Sequence, residues 1–224
     1  MKLVVVGGTS GMGRATIELA KAQGFDVASA GRRAGSDFHV DVTDAASVRA
    51  LFEHVGELDH LLVTASPGTP GPLLEQEPEQ ARTFLDGKFF GAWLCACYAA
   101  PRMPAGGSIT FITGVAVVRP PRGAAMVTAA FAAVEGLTRA LALELGPLRV
   151  NTIRPGYTDS EMWGGLSDAE RKDLRRRVAA AMPVGRMGQP EDIAHAALFL
   201  MTNPQVTGAV LEVSGGESLV EALS

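Results

Sequence analysis

The residues best suited to chemistry begin at position 7. Gly7-Gly8-Thr9-Ser10-Gly11-Met12-Gly13 follows the apolar run Leu3–Val6 and opens a stretch of helical period at Arg14-Ala15. A strand, a glycine turn and a helix N-terminus aim backbone N–H groups and the helix dipole at a pyrophosphate, and missing Cβ atoms let the backbone come close. Gly7, Thr9, Ser10, Gly11, Met12 and Gly13 are therefore read as a dinucleotide loop. The next apolar run, Val27–Ala30, would end in an acid if the cofactor had a free ribose 2′-hydroxyl, but Gly31-Arg32-Arg33 stands there. Two guanidiniums suit a 2′-phosphate, which points to NADP(H); the other reading is a pair of solvated loop charges.

Lys88 is the second chemical candidate. It is one of four lysines (Lys2, Lys21, Lys88, Lys172), and Phe84, Leu85, Gly91, Ala92 and Cys95 surround it at helical spacing. Its amine springs from an apolar stripe. Either the stem is buried and the charge reaches water, or the amine is held for proton chemistry. A metal centre has no support: His39, His54, His60 and His195 are scattered, and Cys95 and Cys97 match no zinc spacing. The two cysteines project about 200° apart around a helix and cannot bridge one another.

Strand-length apolar runs alternate with helical stretches. Leu3–Val6 precedes Gly11–Gln23, Val27–Ala30 precedes Ala45–Val55, and Leu61–Thr64 precedes a helix of about Glu79–Ala100. Ser108–Thr113, a long helix of about Gly123–Leu145, Arg149–Ile153, helices at about Ser167–Ala180 and from Pro190, and Val210–Val213 continue the pattern. Near-continuous apolar strands separated by helices imply an α/β fold with a doubly wound parallel sheet covered on both faces. The 224 residues suit one domain, 1–224, and 47% hydrophobic against 20% charged residues exclude extensive disorder. A net charge of −4 gives no general attraction to nucleic acid or an anionic membrane. The start MKLVVVGG lacks signal-peptide flanks and no run approaches 18 uninterrupted apolar residues, so a cytoplasmic location and a small-molecule substrate are expected.

These motifs resemble the short-chain dehydrogenase/reductase family over nearly the whole chain, and the resemblance implies a Rossmann fold with a mostly parallel seven-stranded sheet. The family's Thr-Gly-x-x-x-Gly-x-Gly loop is matched at Gly7, Gly11 and Gly13, with Val6 in the threonine's place. The resemblance implies an adenine-contacting acid at Asp41, followed by Val42, and a cofactor-lining stretch Thr64-Ala65-Ser66-Pro67 where the family has Asn-Asn-Ala-Gly. It further implies a turn beside the nicotinamide at Pro155-Gly156, a carboxamide contact at Thr158 and a cofactor contact at Ser160. Gly188-Gln189-Pro190-Glu191-Asp192 and Thr207-Gly208 … Gly215-Gly216 follow the family's C-terminal pattern. A substrate lid over about 157–187 is implied, with Met162 and Trp163 either as pocket walls or packed within the lid, and the alanine-rich helices resemble the family's pairing surfaces of a homodimer or homotetramer, although a helix packed on its own sheet would look the same.

The chemistry departs from the family. Its Asn, Ser, Tyr and Lys positions fall at Lys88, Gly114, Val127 and Phe131, and no Tyr-x-x-x-Lys occurs anywhere in the chain. The standard carbonyl mechanism, in which lysine tunes the tyrosine that handles the proton, is not assigned. Lys88, Thr113 and Tyr157 are the candidate catalytic residues: Lys88 as ribose ligand or proton donor, Thr113 or Tyr157 as the group orienting substrate. Arg171-Lys172-Asp173-Leu174-Arg175-Arg176-Arg177 is read as a solvated helix face, with an anionic substrate as the other reading. Two functions stay open: an atypical NADP(H)-dependent oxidoreductase, or a non-catalytic NADP(H)-binding sensor or assembly protein.

Overall fold

The computed structural model describes residues 1–66, 68 and 71–221, apart from the Met162 side chain. Pro67 and the Met162 pocket wall therefore lie outside the described residues. Seven strands form one sheet: β1 (Lys2–Val6), β2 (Asp26–Gly31), β3 (Phe38–His39), β4 (His60–Val63), β5 (Ser108–Ile112), β6 (Arg149–Pro155) and β7 (Val210–Val213). Their order is β3-β2-β1-β4-β5-β6-β7. Every pair is parallel, in agreement with the expected seven-stranded, mostly parallel sheet. The reason is that a helix or long crossover separates nearly every strand from the next. The exception, β3, follows β2 after a six-residue loop and is only two residues long, too short for an alternating or apolar run to announce it.

Side-chain alternation splits each strand between two helical layers. Leu3 and Val5 of β1 face α1 (Gly11–Ala22) and α7 (Pro190–Thr202), packing with Leu62, Ile153, Ile193 and Leu200. Val4 and Val6 face α2 (Ala45–Val55), α4 (Gly91–Ala99) and α5 (Ala125–Glu144), where Phe52, Cys95, Phe111 and Val134 fill the core. Each such fully buried large side chain contributes about 1.5–3 kcal/mol. Arg149, at the start of β6, donates to the carbonyls of Leu200 (2.5 Å) and Met201 (2.6 Å), capping the C-terminal turn of α7. By length and composition α5 could cross a membrane. Here it lies on the sheet and on α3 (Pro78–Leu85), with Val127, Ala130, Val134 and Leu141 turned inward.

The expected helix over about 79–100 is broken. Between α3 and α4, residues Asp86–Phe90 form a π-helical turn. The extra residue resets the helical phase, so Gly87, Lys88 and Gly91 are all buried. Gly91 then lies so near Val42 that a Cβ would fall 2.9 Å from Val42 Cγ2. The segment after β6 has its own small core, Leu174 and Val178 of α6 (Asp168–Ala181) with Met182 and Met187, and Tyr157, Trp163 and Val220 packed on it.

Candidate functional site

Strand order reverses between β1 and β4, and the carboxyl ends of these neighbours open the crevice in which doubly wound sheets bind ligands. The glycine loop lies there. Gly7 has φ +97°, a left-handed conformation that a side chain would strain, and a Cβ on it would sit 2.7 Å from the Ala65 nitrogen. Thr64 meets it directly, its Oγ1 donating to the Gly7 carbonyl at 2.9 Å and its N–H to the Val6 carbonyl at 2.8 Å. Thr64 thus braces β4 against the loop without the family's amides. A Cβ on Gly13 would stand 3.0 Å from Gly8 Cα, so α1 can start this close only with glycine there. The first turn of α1 has no acidic residue, which leaves its N–H groups and positive dipole end suited to phosphate.

The structure brings Arg33, Thr64, Ala65 and Ser160 to this loop. Arg33, just past β2, donates from Nη1 to Ser10 Oγ at 3.2 Å, so a guanidinium lies between the strand end and the loop. Arg32 is exposed and close enough to Asp41 to help hold that carboxyl below its ordinary range, after the Thr43 N–H and hydroxyl. Thr43 donates both to Asp41 Oδ1, at 3.0 and 2.8 Å, fixing the turn that sets Val42 against Gly91. Pro155 ends β6, the Gly156 N–H bonds the Val213 carbonyl at 3.1 Å, and the buried Thr158 hydroxyl donates to the Gly156 carbonyl at 3.1 Å. Ser160 reaches back to the loop: its Cβ lies 3.5 Å from where a Gly11 Cβ would be. These residues fit a dinucleotide, because the positions that must lack a Cβ lack one and the cradle is lined by donors.

Lys88, Gly114, Val127 and Phe131, where the resemblance would place the tetrad, also come together. The Lys88 ammonium lies 5.1 Å from the centre of the Phe131 ring, a cation–π distance. That ring fills the space above Gly114: a Cβ on Gly114 would be 2.8 Å from Phe131 Cε2, so the Gly and the Phe fit each other. Val127, one turn before Phe131, packs with Phe84 and Ala130. Lys88 is 5% exposed, and burial lowers its pKa from 10.5 to about 8. A continuous helix would have suggested snorkelling to water; the π turn directs the amine inward.

Thr113 and Tyr157 are engaged elsewhere. The Thr113 hydroxyl lies 3.2 Å from Glu135 Oε1 and 3.4 Å from the Ile153 carbonyl. Glu135 takes a two-pronged contact from Arg154, Nε at 2.9 Å and Nη2 at 2.7 Å, and Arg154 Nη1 reaches Glu212 at 3.2 Å. This network joins the ends of β5, β6 and β7. The Tyr157 ring stacks on Trp163 at 5.9 Å, and its N–H donates to Glu217 Oε2 at 2.8 Å. Trp163 Nε1 donates to the Thr158 carbonyl at 2.8 Å, so Trp163 packs within the segment. The basic run is matched by acids: Arg171 and Arg175 hold Asp159, and Arg176 and Arg177 hold Asp173. Among the described residues no three His, Cys, Asp or Glu side chains gather as a metal site would require.

Known proteins are similar to this chain over nearly its whole length. The family model described as enoyl-(acyl carrier protein) reductase matches residues 6–218. A short-chain dehydrogenase/reductase of Stachybotrys chlorohalonatus is 32% identical over 97% of this chain and 96% of its own length. Cis-4-hydroxycyclohexanecarboxylate dehydrogenase of Sinomonas cyclohexanicum is 34% identical over 97% and 96%. A solved small-chain dehydrogenase in complex with NADPH superposes with a TM-score of 0.91 at 37% identity, covering 98% of this chain and 99% of that one. With sheet order, glycine loop and near-full-length similarity in agreement, the chain belongs to the short-chain dehydrogenase/reductase family of oxidoreductases.

Proposed function

We propose that the protein is an atypical NADP(H)-dependent oxidoreductase acting on a small alcohol or carbonyl compound in the cytoplasm. The observation that carries the cofactor choice is the Arg33–Ser10 contact, which sets a guanidinium between the end of β2 and the glycine loop. The NADPH bound to its 37%-identical neighbour supports the same choice. Bound NADP(H) would supply or accept a hydride beside Pro155-Gly156. Thr158 and Ser160 would face it from beyond that turn, and the N-terminal turn of α1 would hold its pyrophosphate. Reduction of a carbonyl also needs a proton, and Lys88 is the acid we assign. It is the titratable side chain that stands at the tetrad's place, and burial weakens its hold on the proton. Thr113 or Tyr157 would orient substrate, although the Thr113 hydroxyl donates to Glu135 and the Tyr157 ring stacks on Trp163.

A homodimer or homotetramer formed through α4 and α5 completes this reading. Phe90 (47% exposed) and Trp93 (44%) give that surface apolar area to cover. Light scattering at micromolar concentration should return at least twice the 23.4 kDa chain mass; a monomer mass refutes it.

Calorimetric titration tests the cofactor. NADPH should bind at least about tenfold tighter than NADH, about 1.4 kcal/mol, and the double variant Arg32→Ala/Arg33→Ala should lose that preference. Equal affinities overturn the NADP(H) assignment. The apolar neighbours Val127 and Phe131 at two tetrad positions favour the second reading, a non-catalytic NADP(H)-binding protein. Lys88→Met separates the two: the enzyme reading requires loss of turnover with NADPH binding retained.

A further inference from the structure

The N-terminal turn of α1 already holds an anion, and it comes from the chain itself. Glu161, 147 residues beyond its partner, accepts from Arg14 Nη2 through Oε1 at 2.6 Å. Its Oε2 lies 3.3 Å from where a Gly11 Cβ would be. Its own backbone N–H, the Arg14 charge and the Gly11 N–H hold its carboxyl below the usual carboxylate range. Ser10, the N-cap, makes no side-chain bond to the helix, and no acid lies in the first turn, so Glu161 is the negative charge this helix end receives. Beside it a cleft of about 300 Å³ opens between Gly11, Arg14, Ala15 and the start of α7 at Pro190.

Glu161 is firmly joined to the segment that follows the Pro-Gly turn. Its carbonyl accepts from the Gly164 N–H at 3.0 Å, and the Trp163 indole is tied to Thr158. Two residues before it, Asp159 is gripped by Arg171 and Arg175 of α6. A force on the Glu161 carboxylate is therefore passed to α6, and α6 reaches the glycine loop through this side chain.

We propose that Glu161 is an affinity-setting latch: its carboxylate occupies the anion seat of the glycine loop and must leave when the diphosphate of a dinucleotide enters. The two anions use the same Gly11 N–H and Arg14 guanidinium, and they repel one another. Cofactor entry is thereby coupled to release of the part of segment 157–187 from Glu161 onward, while Thr158 and Ser160 stay beside the cofactor. This rests on the reading of the loop as an NADP(H) site. The cost of expelling Glu161 lowers the apparent cofactor affinity by the fraction of molecules in which the latch is closed.

Two measurements on Glu161→Gln, which keeps shape and removes charge at a half-exposed position, test it. In calorimetry the variant should bind NADPH about 5- to 10-fold tighter than wild type, as a latch closed in most molecules requires. Adenosine 2′-monophosphate, which carries the 2′-phosphate without the diphosphate, should bind both proteins equally. Without cofactor, trypsin should cut the variant faster than wild type within 171–177. Unchanged or weaker NADPH binding in the variant overturns the latch, as does an unchanged trypsin rate. If wild type binds no NADPH at all, the cofactor reading falls, and the trypsin comparison still decides whether Glu161 holds the segment.

Discussion

The two ends of the crevice were built under different demands. At the glycine loop, recognition rests on backbone: the positive φ at Gly7, the helix start that needs Gly13 bare, and N–H groups aimed at one point. At the tetrad, recognition rests on side chains converging from the π turn, the end of β5 and one face of α5. The first follows the family's spacing; at the second, where the resemblance would place the tetrad, the residues present are internally fitted, with Phe131 over Gly114 and Lys88 over Phe131. A backbone site admits little substitution where, as at Gly7 and Gly13, a Cβ would collide with main chain. A side-chain site can be refilled if volumes match, and the sheet beneath is untouched.

The largest expected effect lies in the network that ties the refilled end together. Glu135→Ala strips Arg154 of its two-pronged partner while Glu212 keeps only a single contact, in a setting where Glu135 is 5% exposed. Breaking a buried pair this way costs about 3–5 kcal/mol, read as a lower urea midpoint with unchanged slope. A loss under 1 kcal/mol would mean the network is not what holds β5, β6 and β7 in place.

Lys88 comes next and has a pH signature. Its folded-state pKa is lowered from 10.5 to about 8 by burial. Below about pH 8 both states carry the proton, and the folded state bears the full cost of a buried ammonium. From about pH 8 to 10.5 the unfolded chain binds more protons, so stability rises with pH across that window, by up to about 3 kcal/mol. Lys88→Met should abolish the rise and stabilise the protein at pH 7 by a similar amount. No charged group from its own turn (Asp86), from α3 (Glu79, Arg82) or from α5 (Glu135, Arg139, Glu144) contributes to the shift, so the slope reports burial alone. A flat profile in wild type would mean that the amine reaches water.

Rebuilding the family's serine sharpens the contrast further. Gly114→Ser alone drives a Cβ to within 2.8 Å of the Phe131 ring and should cost about 2 kcal/mol. Adding Phe131→Ala should remove most of that penalty, a coupling that a double-mutant cycle in thermal melts would read directly. Additive costs would show that the two residues are not a matched pair.

Legibility in the sequence followed the same division. The alternating runs revealed six strands and both helical layers, because a sheet buried on both faces leaves unbroken apolar stretches such as Leu3–Val6 and Leu61–Val63. Two-residue β3 carries no period to detect. The π turn was hidden since Phe84, Leu85 and Gly91 satisfy an ordinary helical spacing equally well, and one inserted residue leaves no compositional mark. Glycine spacing exposed the cofactor loop. Glu161 and the Glu135–Arg154 pair went unseen because their partners are distant in the chain. The one hint for Glu161 was an α1 whose first turn lacks an acid although Arg14 stands there.

The smallest effect separates the two arginines at the well-preserved end. Arg33 already spans from β2 to Ser10 of the loop, whereas Arg32 lies near Asp41, whose carboxylate offsets part of its charge. A 2′-phosphate bridging strand end and loop therefore draws mainly on Arg33, whose Nη1 needs only to exchange a neutral hydroxyl for a charged oxygen. Arg33→Ala should weaken NADPH binding about fivefold, about 1 kcal/mol, and leave NADH binding unchanged. Arg32→Ala should cost about twofold, less at 0.5 M salt because an exposed charge is screened. Calorimetry with both cofactors on both variants decides it: a larger loss from Arg32→Ala would shift the phosphate toward Asp41 and away from the glycine loop.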